Sequence, residues 1–427
     1  MSYFKWIEYS ISIGDIKLEA WATKRLAESG ENIVITQDMN EKVKFSLFKA
    51  NAMRIIHGKH IFREDSIFND NHERNMKICK TLFSENTNEP DPKLLNIYNE
   101  ISQFKVNDCK IAVVMAKHIN CSSEYIISDL YYHYSESAKK FGLTVNTFDS
   151  SNLMYSNFHK DFTLHEALTQ LENFFNAQKI DVVITDGNFI PDEKTVNPNI
   201  WNRLKSRFGF KIITVIADLY DSQPDFYKIW NESSDQIICF NRITTNFRQE
   251  SKCILSPCLA FNDEIFINNS KKDIDLLYLG TNSRNRLIWI NALGSSGVNV
   301  FAKLHDRKKQ NALEHLEYGN LMSRAKLVFN NGWVNEADNI VTGRFFEAVL
   351  AKAVVLQEVG SNIDEFFIPF KHYVPVSNLK QAEVFSKFLL ENEDIRNKIA
   401  EDAEKFYQDH YSSNHFWKHA LNRLNPG

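Results

Sequence analysis

Two segments of the chain concentrate residue types that bind anions and hold hydroxyl groups. In ADNIVTGRFFEAVLAKAVVLQE (337–358) the polar loop DNIVTGR opens a predicted helix carrying Arg344 and, three residues on, Glu347. That spacing puts both side chains on one helical face near its N-terminus. A guanidinium there grips phosphate, and a carboxylate accepts hydrogen bonds from vicinal hydroxyls. An i,i+3 salt bridge on a surface helix is the bland alternative, but the neighbouring FF and AVLA runs favour burial, where unpaired charge is costly. The second segment, YLGTNSRNR (278–286), joins a predicted strand to the helix LIWINALG. Gly280 admits close approach of a ligand to the backbone, and the arginines at 284 and 286, Arg284 and Arg286, combine with helix amides to make a diphosphate site. Read alone, the same turn serves equally as a solvated strand-to-helix connection.

Carboxylates end two further predicted strands. FKIITVIADLYDSQPDFYKIW (210–230) ends its strand at Asp218, with Asp221 and Asp225 following. A carboxylate at that edge can take the proton of an acceptor hydroxyl, or it can simply cap the next helix. Asp186, ending DVVITDGNF, is a second candidate by the same geometry, because Gly187 and Asn188 suit a tight turn. His159 and His165 stand in polar surroundings and read as solvated. Acidic triplets of the kind that hold a divalent metal occur only in NEPDPK (88–93) and KDIDLL (272–277), and the latter starts a strand instead of ending one. The six cysteines are scattered, without a CxxC pair or a His/Cys cluster at metal-ligand spacing. No metal and no cofactor is therefore expected, and positive charge at the site falls to Arg344, Arg284 or Arg286 with a helix dipole.

The elements that must position these residues come in two sets. In the first, apolar runs KIAVVMA (110–116), LTVNTF (143–148), DVVITD (181–186), FKIITVIAD (210–218) and QIICF (236–240) alternate with helical stretches such as 123–142 and 163–178. Strands apolar on both faces belong to a parallel sheet covered by helices. A connector (256–273) rich in Pro, Asn and charge follows, then a second set: IDLLYLG (274–280), VNVFAK (298–303), KLVFNN (326–331) and AVVLQE (353–358). The fold class is α/β, two Rossmann-like domains facing a cleft, with an N-terminal α+β extension. The expected domains are 1–106, 107–258, 259–412 and a terminal helix at 413–427. Within the extension, YFKWIEYSISIG, IKLEAWA, NIVITQ and VKFSLFKA read as strand-like runs packed beside the first domain. Ligands of open α/β sheets bind at the carboxyl ends of the strands, which is where the candidate residues fall.

Composition bounds the partners. The chain has 427 residues, 50 Lys+Arg against 54 Asp+Glu, and a formal charge of −4; a domain that tracks a phosphate backbone carries a basic excess, so nucleic acid is disfavoured. No apolar run approaches the roughly 18 residues of a membrane span, and no signal peptide is evident at the N-terminus. Scattered thiols and these absences fit a cytoplasmic protein. Lys5, Trp6, Lys24 and Arg25 leave room for peripheral membrane contact.

The ordered segments KDIDLLYLGTNSRNR, NLMSRAKLVFNNG, TGRFFEAVLAKAVVLQE, FKHYVPV and LLENEDIRNKIAEDAEKFY together resemble the sugar-nucleotide domain of glycosyltransferases with two Rossmann-like domains, the GT-B architecture. They are most similar to the CgeB-like proteins of glycosyltransferase group 1, and the order of parts also resembles the phage DNA β-glucosyltransferases. The resemblance covers about residues 256–412 and implies a metal-independent, hexosyltransferase-like enzyme moving a sugar from a nucleotide-sugar donor to the hydroxyl of a glycan or glycoconjugate acceptor. It implies that Arg344 binds the nucleotide diphosphate, with Thr342 beside it, Glu347 the ribose, and Gly280, Thr281 and Arg284 or Arg286 the phosphates; Asp218 matches the phage enzymes' catalytic aspartate. The wider retaining family carries a glutamate eight residues before the position of Glu347; this chain has Asn339 there, with Glu336 and Asp338 nearby. Bacterial surface-glycan synthesis, with a UDP-, GDP- or CMP-activated donor, is the expected setting. A CMP-sugar-acid transferase, a DNA-modifying glucosyltransferase and a non-catalytic glycan-binding module are the alternatives.

Overall fold

The apolar runs of the sequence become strands buried on both faces, and their parallel pairing sets where polar side chains can emerge. A computed structural model of the chain describes residues 3–29, 39–44, 46–47, 50, 68, 71–84, 109–118, 127–154, 163–191, 195–217, 228–240, 253–256, 259–267, 271–281, 284–305, 313–332 and 340–424. The strands are β1 (Lys110–Met115), β2 (Thr144–Asp149), β3 (Val182–Asp186), β4 (Lys211–Ile216), β5 (Gln236–Cys239), β6 (Cys253–Leu255), β7 (Ile274–Thr281), β8 (Val300–His305), β9 (Ala325–Asn330), β10 (Val354–Glu358) and β11 (Val374–Val376). The first helices are α1 (Tyr3–Ile13), α2 (Ile16–Ser29), α3 (His72–Ser84), α4 (Asp129–Lys140), α5 (Ser151–Met154), α6 (Leu164–Ala177), α7 (Pro198–Phe208) and α8 (Lys228–Asn231). The later ones are α9 (Arg284–Ser295), α10 (His315–Arg324), α11 (Gly343–Leu350), α12 (Leu379–Glu391), α13 (Glu393–His410) and α14 (Ser413–Leu424). The chain divides into two units: Lys93–Ile267 with Asp306–Tyr318 and Phe406–Gly427, and Met1–Pro92 with Asn268–His305 and Gly319–Lys405.

The first of these units holds a six-stranded sheet in the order β2-β1-β3-β4-β5-β6, parallel throughout. Ala112, Val114, Val183 and Ile212 pack against Leu171 and Phe175 of α6 and Trp201 and Leu204 of α7. Local sequence fixes both helices. Thr163 accepts from the Glu166 amide while Glu166 accepts from the Thr163 amide, a capping box at the start of α6. Asn197 caps α7, Pro198 occupies its first turn and Gly209, at φ 78°, ends it. Residues 259–267, read from the sequence as unpatterned connector, instead bury Phe261 and Phe266, and the Asn262 amide donates to His133 Nδ1 at 3.1 Å. The tail returns to this unit as well: Trp417 of α14 is fully buried and its indole donates to Ser137 of α4 at 3.0 Å.

The other unit carries a five-stranded parallel sheet, β11-β10-β9-β7-β8. Leu276, Leu327, Val354 and Leu356 face Phe385, Phe388 and Leu389 of α12. The N-terminal strand reading is corrected here. YFKWIEYSISI and IKLEAWA lie in α1 and α2, and among VKFSLFKA residues 43, 44, 46, 47 and 50 are helical; NIVITQ lies outside the described residues. Ile7, Ala22, Leu26, Val43, Leu47 and Ala50 form one small core, so steps of three and four outweigh the alternation that suggested strands. Nor does this segment join the first sheet: Phe68, and Cys79 of α3, enter the β7–β11 core, and Phe83 stacks on Phe388 with centroids 5.2 Å apart. Lys5 pairs with Glu8 and Trp6 packs on the small helical core. Among the described residues no helix is long and apolar enough to cross a membrane.

Gly187, chosen from the sequence as a turn former, is held by packing. A Cβ there would stand 2.6 Å from Thr214 Cγ2, 3.0 Å from Ile216 Cγ1 and 3.2 Å from Trp230 Cδ1. Gly187→Ala is therefore expected to cost about 1–3 kcal/mol of stability by overpacking, read as a lower urea midpoint with unchanged slope.

Candidate functional site

In the second sheet β8 lies on one side of β7 and β9 on the other, so the strand order reverses at the β7/β9 pair, the place where open α/β sheets bind ligands. Gly280 and Thr281 end β7, and Asn330 and Asn331 stand at the end of β9. Gly280 has φ 153°, and a Cβ on it would lie 2.5 Å from Arg344 Nη2 and 3.5 Å from Arg286 Nη1. Two guanidinium groups thus converge above the one residue that has no side chain to keep them away. Arg286, in the first turn of α9, is steadied by donating from Nη1 to the Thr281 carbonyl at 2.8 Å. Arg344, in the first turn of α11, lies over the Tyr278 ring with Cζ 5.3 Å from its centroid and donates from Nη1 to Asn330 Oδ1 at 2.9 Å.

Asn330 is the hub of a buried chain. Its Oδ1 also accepts from the Thr342 hydroxyl at 3.0 Å, its Nδ2 donates to Gln357 Oε1 at 2.7 Å, and Gln357 Nε2 donates to the Glu358 carbonyl at 3.0 Å. Thr342 occupies the N-cap of α11 but makes no side-chain cap, since its hydroxyl is turned to Asn330. The positive end of α11 is left for an anion. At the other end of this helix Lys272 Nζ donates to the Ala351 carbonyl at 2.6 Å; burial, then Arg396 and Lys352, lower its pKa to about 8. Glu347 is buried on α11, and the Thr281 hydroxyl lies 3.4 Å from His305 Nε2.

A second buried cluster gathers Tyr278, Asn331 and Glu358. The Tyr278 hydroxyl donates to Asn331 Oδ1 at 3.0 Å. Glu358, 3% exposed, takes hydrogen bonds from Trp289 and Asn331, but burial dominates these and the Arg286 charge and pushes its carboxyl up to about 8. Burial likewise raises the Tyr278 phenol, so both groups are neutral at pH 7.

Gly280, Thr281, Arg286, Thr342 and Arg344 are thus brought together, with Glu347 on the same helix as Arg344. Arg284 opens α9. Asp218 lies outside the described residues, as do Asn339, Glu336, Asp338 and His159. Asp186 belongs to the other unit, at the β1/β3 reversal of its sheet. Its Oδ1 accepts from both the backbone and side-chain amides of Asn188, at 2.8 and 2.6 Å, and Asn188 Oδ1 accepts from the Ala217 amide at 2.7 Å; the aspartate is built into a turn tying β3 to β4. His165 is exposed on α6. The DID triplet is spent on ion pairs, Asp273 with Arg324 at 2.8 Å and Asp275 with Lys326 at 2.6 Å. Sequence reasoning passed over Tyr278, Asn330, Asn331, Gln357 and Glu358. The signal was present as NN and QE closing otherwise apolar strands, since polar residues in a doubly covered strand must have partners.

Residues 283–424 match the family described as glycosyl transferase-like. A glycosyltransferase from Rickettsia africae shares the fold, with a TM-score of 0.52 at 12% identity over 75% of this chain and 100% of that one. The fold is α/β with two Rossmann-like parallel sheets, consistent with the GT-B architecture. Two further solved structures resemble this glycosyltransferase fold more loosely. Anabaena HepE in complex with UDP-glucose has a TM-score of 0.49 at 12% identity, over 74% of this chain and 100% of that one. The DNA-modifying β-glucosyltransferase of phage T4 has 0.44 at 16%, over 74% and 98%. No curated protein matches the chain. The resemblance drawn from the sequence motifs is thereby shown, and both arginines, Arg286 on α9 and Arg344 on α11, lie within the matched residues 283–424.

Two outcomes follow from this geometry. Gly280→Ala must displace Arg344 or strain the backbone, at a cost of about 1–3 kcal/mol, seen as a lower melting temperature. Glu358 binds its proton more tightly folded, at about 8, than at its ordinary 4.5, so it subtracts stability progressively as pH rises from 4.5 to 8. Glu358→Gln is expected to be the more stable protein, by roughly a few kcal/mol at most, with the gap in denaturation free energy widening between pH 5 and 8.

Proposed function

We propose that the chain transfers a sugar from a nucleotide-sugar donor to an acceptor hydroxyl, with its donor diphosphate held by Arg286, Arg344 and the N-terminus of α11. The observation that carries this reading is the approach of both guanidinium groups over Gly280, at the strand-order reversal of a glycosyltransferase-like domain. Arginine forks match phosphate oxygens geometrically, and the positive end of a helix adds to them. Glu347, one turn further along α11, is suited to the ribose hydroxyls.

The chemical task of such a site is to stabilise the departing diphosphate. Donors preset where charge develops lower the barrier most when they need not reorganise, and Arg344 is preset by Asn330 and Tyr278, Arg286 by the Thr281 carbonyl. In a single displacement the acceptor oxygen bonds to the anomeric carbon as the bond to the diphosphate breaks, and a carboxylate takes the hydroxyl proton. Asp218 is the proposed base. Asp186 is the second choice, because Oδ1 is committed to Asn188. The leaving charge needs no metal in this reading, and the acceptor is a glycan or glycoconjugate of the cytoplasm, with surface-glycan synthesis as the setting.

Arg344→Ala removes a charge-assisted contact worth about 1.5–3 kcal/mol, so nucleotide-sugar affinity is expected to fall by roughly one to two decades in calorimetry. Unchanged affinity for every nucleotide sugar the parent binds would overturn the assignment. A competition panel of UDP, GDP and CMP names the base. Asp218→Asn is expected to abolish turnover with donor affinity retained, whereas Asp186→Asn should act through stability; the reverse pattern exchanges their roles.

A further inference from the structure

His305 ends β8, which lies at the edge of the second sheet, and no role has yet been given to it. Thr281 and His305 are the last paired residues of β7 and β8, and Thr281 Oγ1 lies 3.4 Å from His305 Nε2. Both residues are half-buried, within reach of a ligand. Side chains alternate along a strand, so Leu277, Leu279 and Thr281 share one face of β7. Leu277 pairs with Val328, which places Thr281 and His305 on the same face of the sheet as Asn330. On that face Asn330 accepts from Thr342 and Arg344 at the start of α11. The Thr281 carbonyl, for its part, accepts from Arg286 Nη1 at 2.8 Å. Thr281 therefore meets the arginine through its backbone and the imidazole through its side chain, on the face where α11 presents its positive end.

We infer that His305 is a positioning residue for the donor diphosphate: its Nε2 donates to Thr281 Oγ1 and so commits the Thr281 hydroxyl proton to a phosphate oxygen. This deepens the donor-site reading and rests on it. A hydroxyl has one proton and two lone pairs. When Nε2 carries hydrogen it occupies a lone pair, and the proton is left for the ligand. When Nε2 is bare it takes the proton itself, and the phosphate meets only oxygen. The first arrangement attracts an anion and the second repels it. A donor aimed in advance need not reorganise as the ligand arrives, and contacts of this kind tighten in the complex. The influence of His305 passes wholly through Thr281, which separates it from a cross-strand pair that only steadies two strand ends.

Calorimetry with UDP-glucose, GDP-mannose and ADP-glucose tests this, on whichever the wild type binds best. Thr281→Val and His305→Leu are each expected to weaken binding by about three- to tenfold, and the double variant no further than Thr281→Val alone. His305→Gln, whose Nε2 also carries hydrogen, is expected to keep affinity within about twofold of the wild type. Should His305→Leu not fold, His305→Ala takes its place in the cycle. Losses that multiply in the double variant, wild-type affinity in either single variant, or a His305→Gln as weak as His305→Leu overturn the inference and leave the donor site standing. Failure of all three probes to bind the wild type, or wild-type affinity in Arg344→Ala, overturns the donor-site reading and this inference with it.

Discussion

Two like charges brought together over a glycine are the constraint around which the second sheet is arranged. Left to themselves, Arg286 and Arg344 would swing apart into solvent, because each long side chain loses rotamer freedom when fixed and each repels the other. They stay because their donors are already engaged on fixed acceptors: a β7 carbonyl for one, the Asn330 amide and an aromatic face for the other. Gly280 supplies the room. Remove any of these and the pair loses its aim while the sheet persists.

That arrangement explains why the ends of β9 and β10 break the apolar rule of their strands. Successive residues of a strand point to opposite faces. Asn330 accordingly serves Thr342, Arg344 and Gln357, while Asn331 serves Tyr278 and Glu358. One dipeptide thus holds Arg344 directly through Asn330 and, through Asn331, the Tyr278 ring over which Arg344 lies. Buried polar networks of this kind are favourable only when well satisfied, which makes them effective at specifying a single geometry.

Much of this could be read from the chain itself. Five strands of the first sheet and four of the second, the helices at 163–178 and 393–411, and Gly280, Arg286 and Arg344 were legible because apolar runs and Gly/Arg spacing are local signals. What was illegible was long-range. Nothing near Asn330 in the sequence says that Gln357 will lie beside it, since that depends on β9 pairing with β10. The N-terminal helices misled because YFKWIEYSISI satisfies both periodicities, and only packing against Val43 and Leu47 decides between them. β6 and β11, at three residues each, are too short to show a period at all.

The placement of Trp417 carries a consequence for how the protein comes into being. The indole packs edge-on against Tyr134 and donates to Ser137, both laid down nearly three hundred residues earlier in synthesis. A ribosome delivers the N-terminal end first, so the six-stranded sheet must wait, with an aromatic face uncovered, until the entire five-stranded sheet has been translated. Vectorial folding one domain at a time is closed to this chain; its two halves finish in the opposite order to that in which their sheets are made.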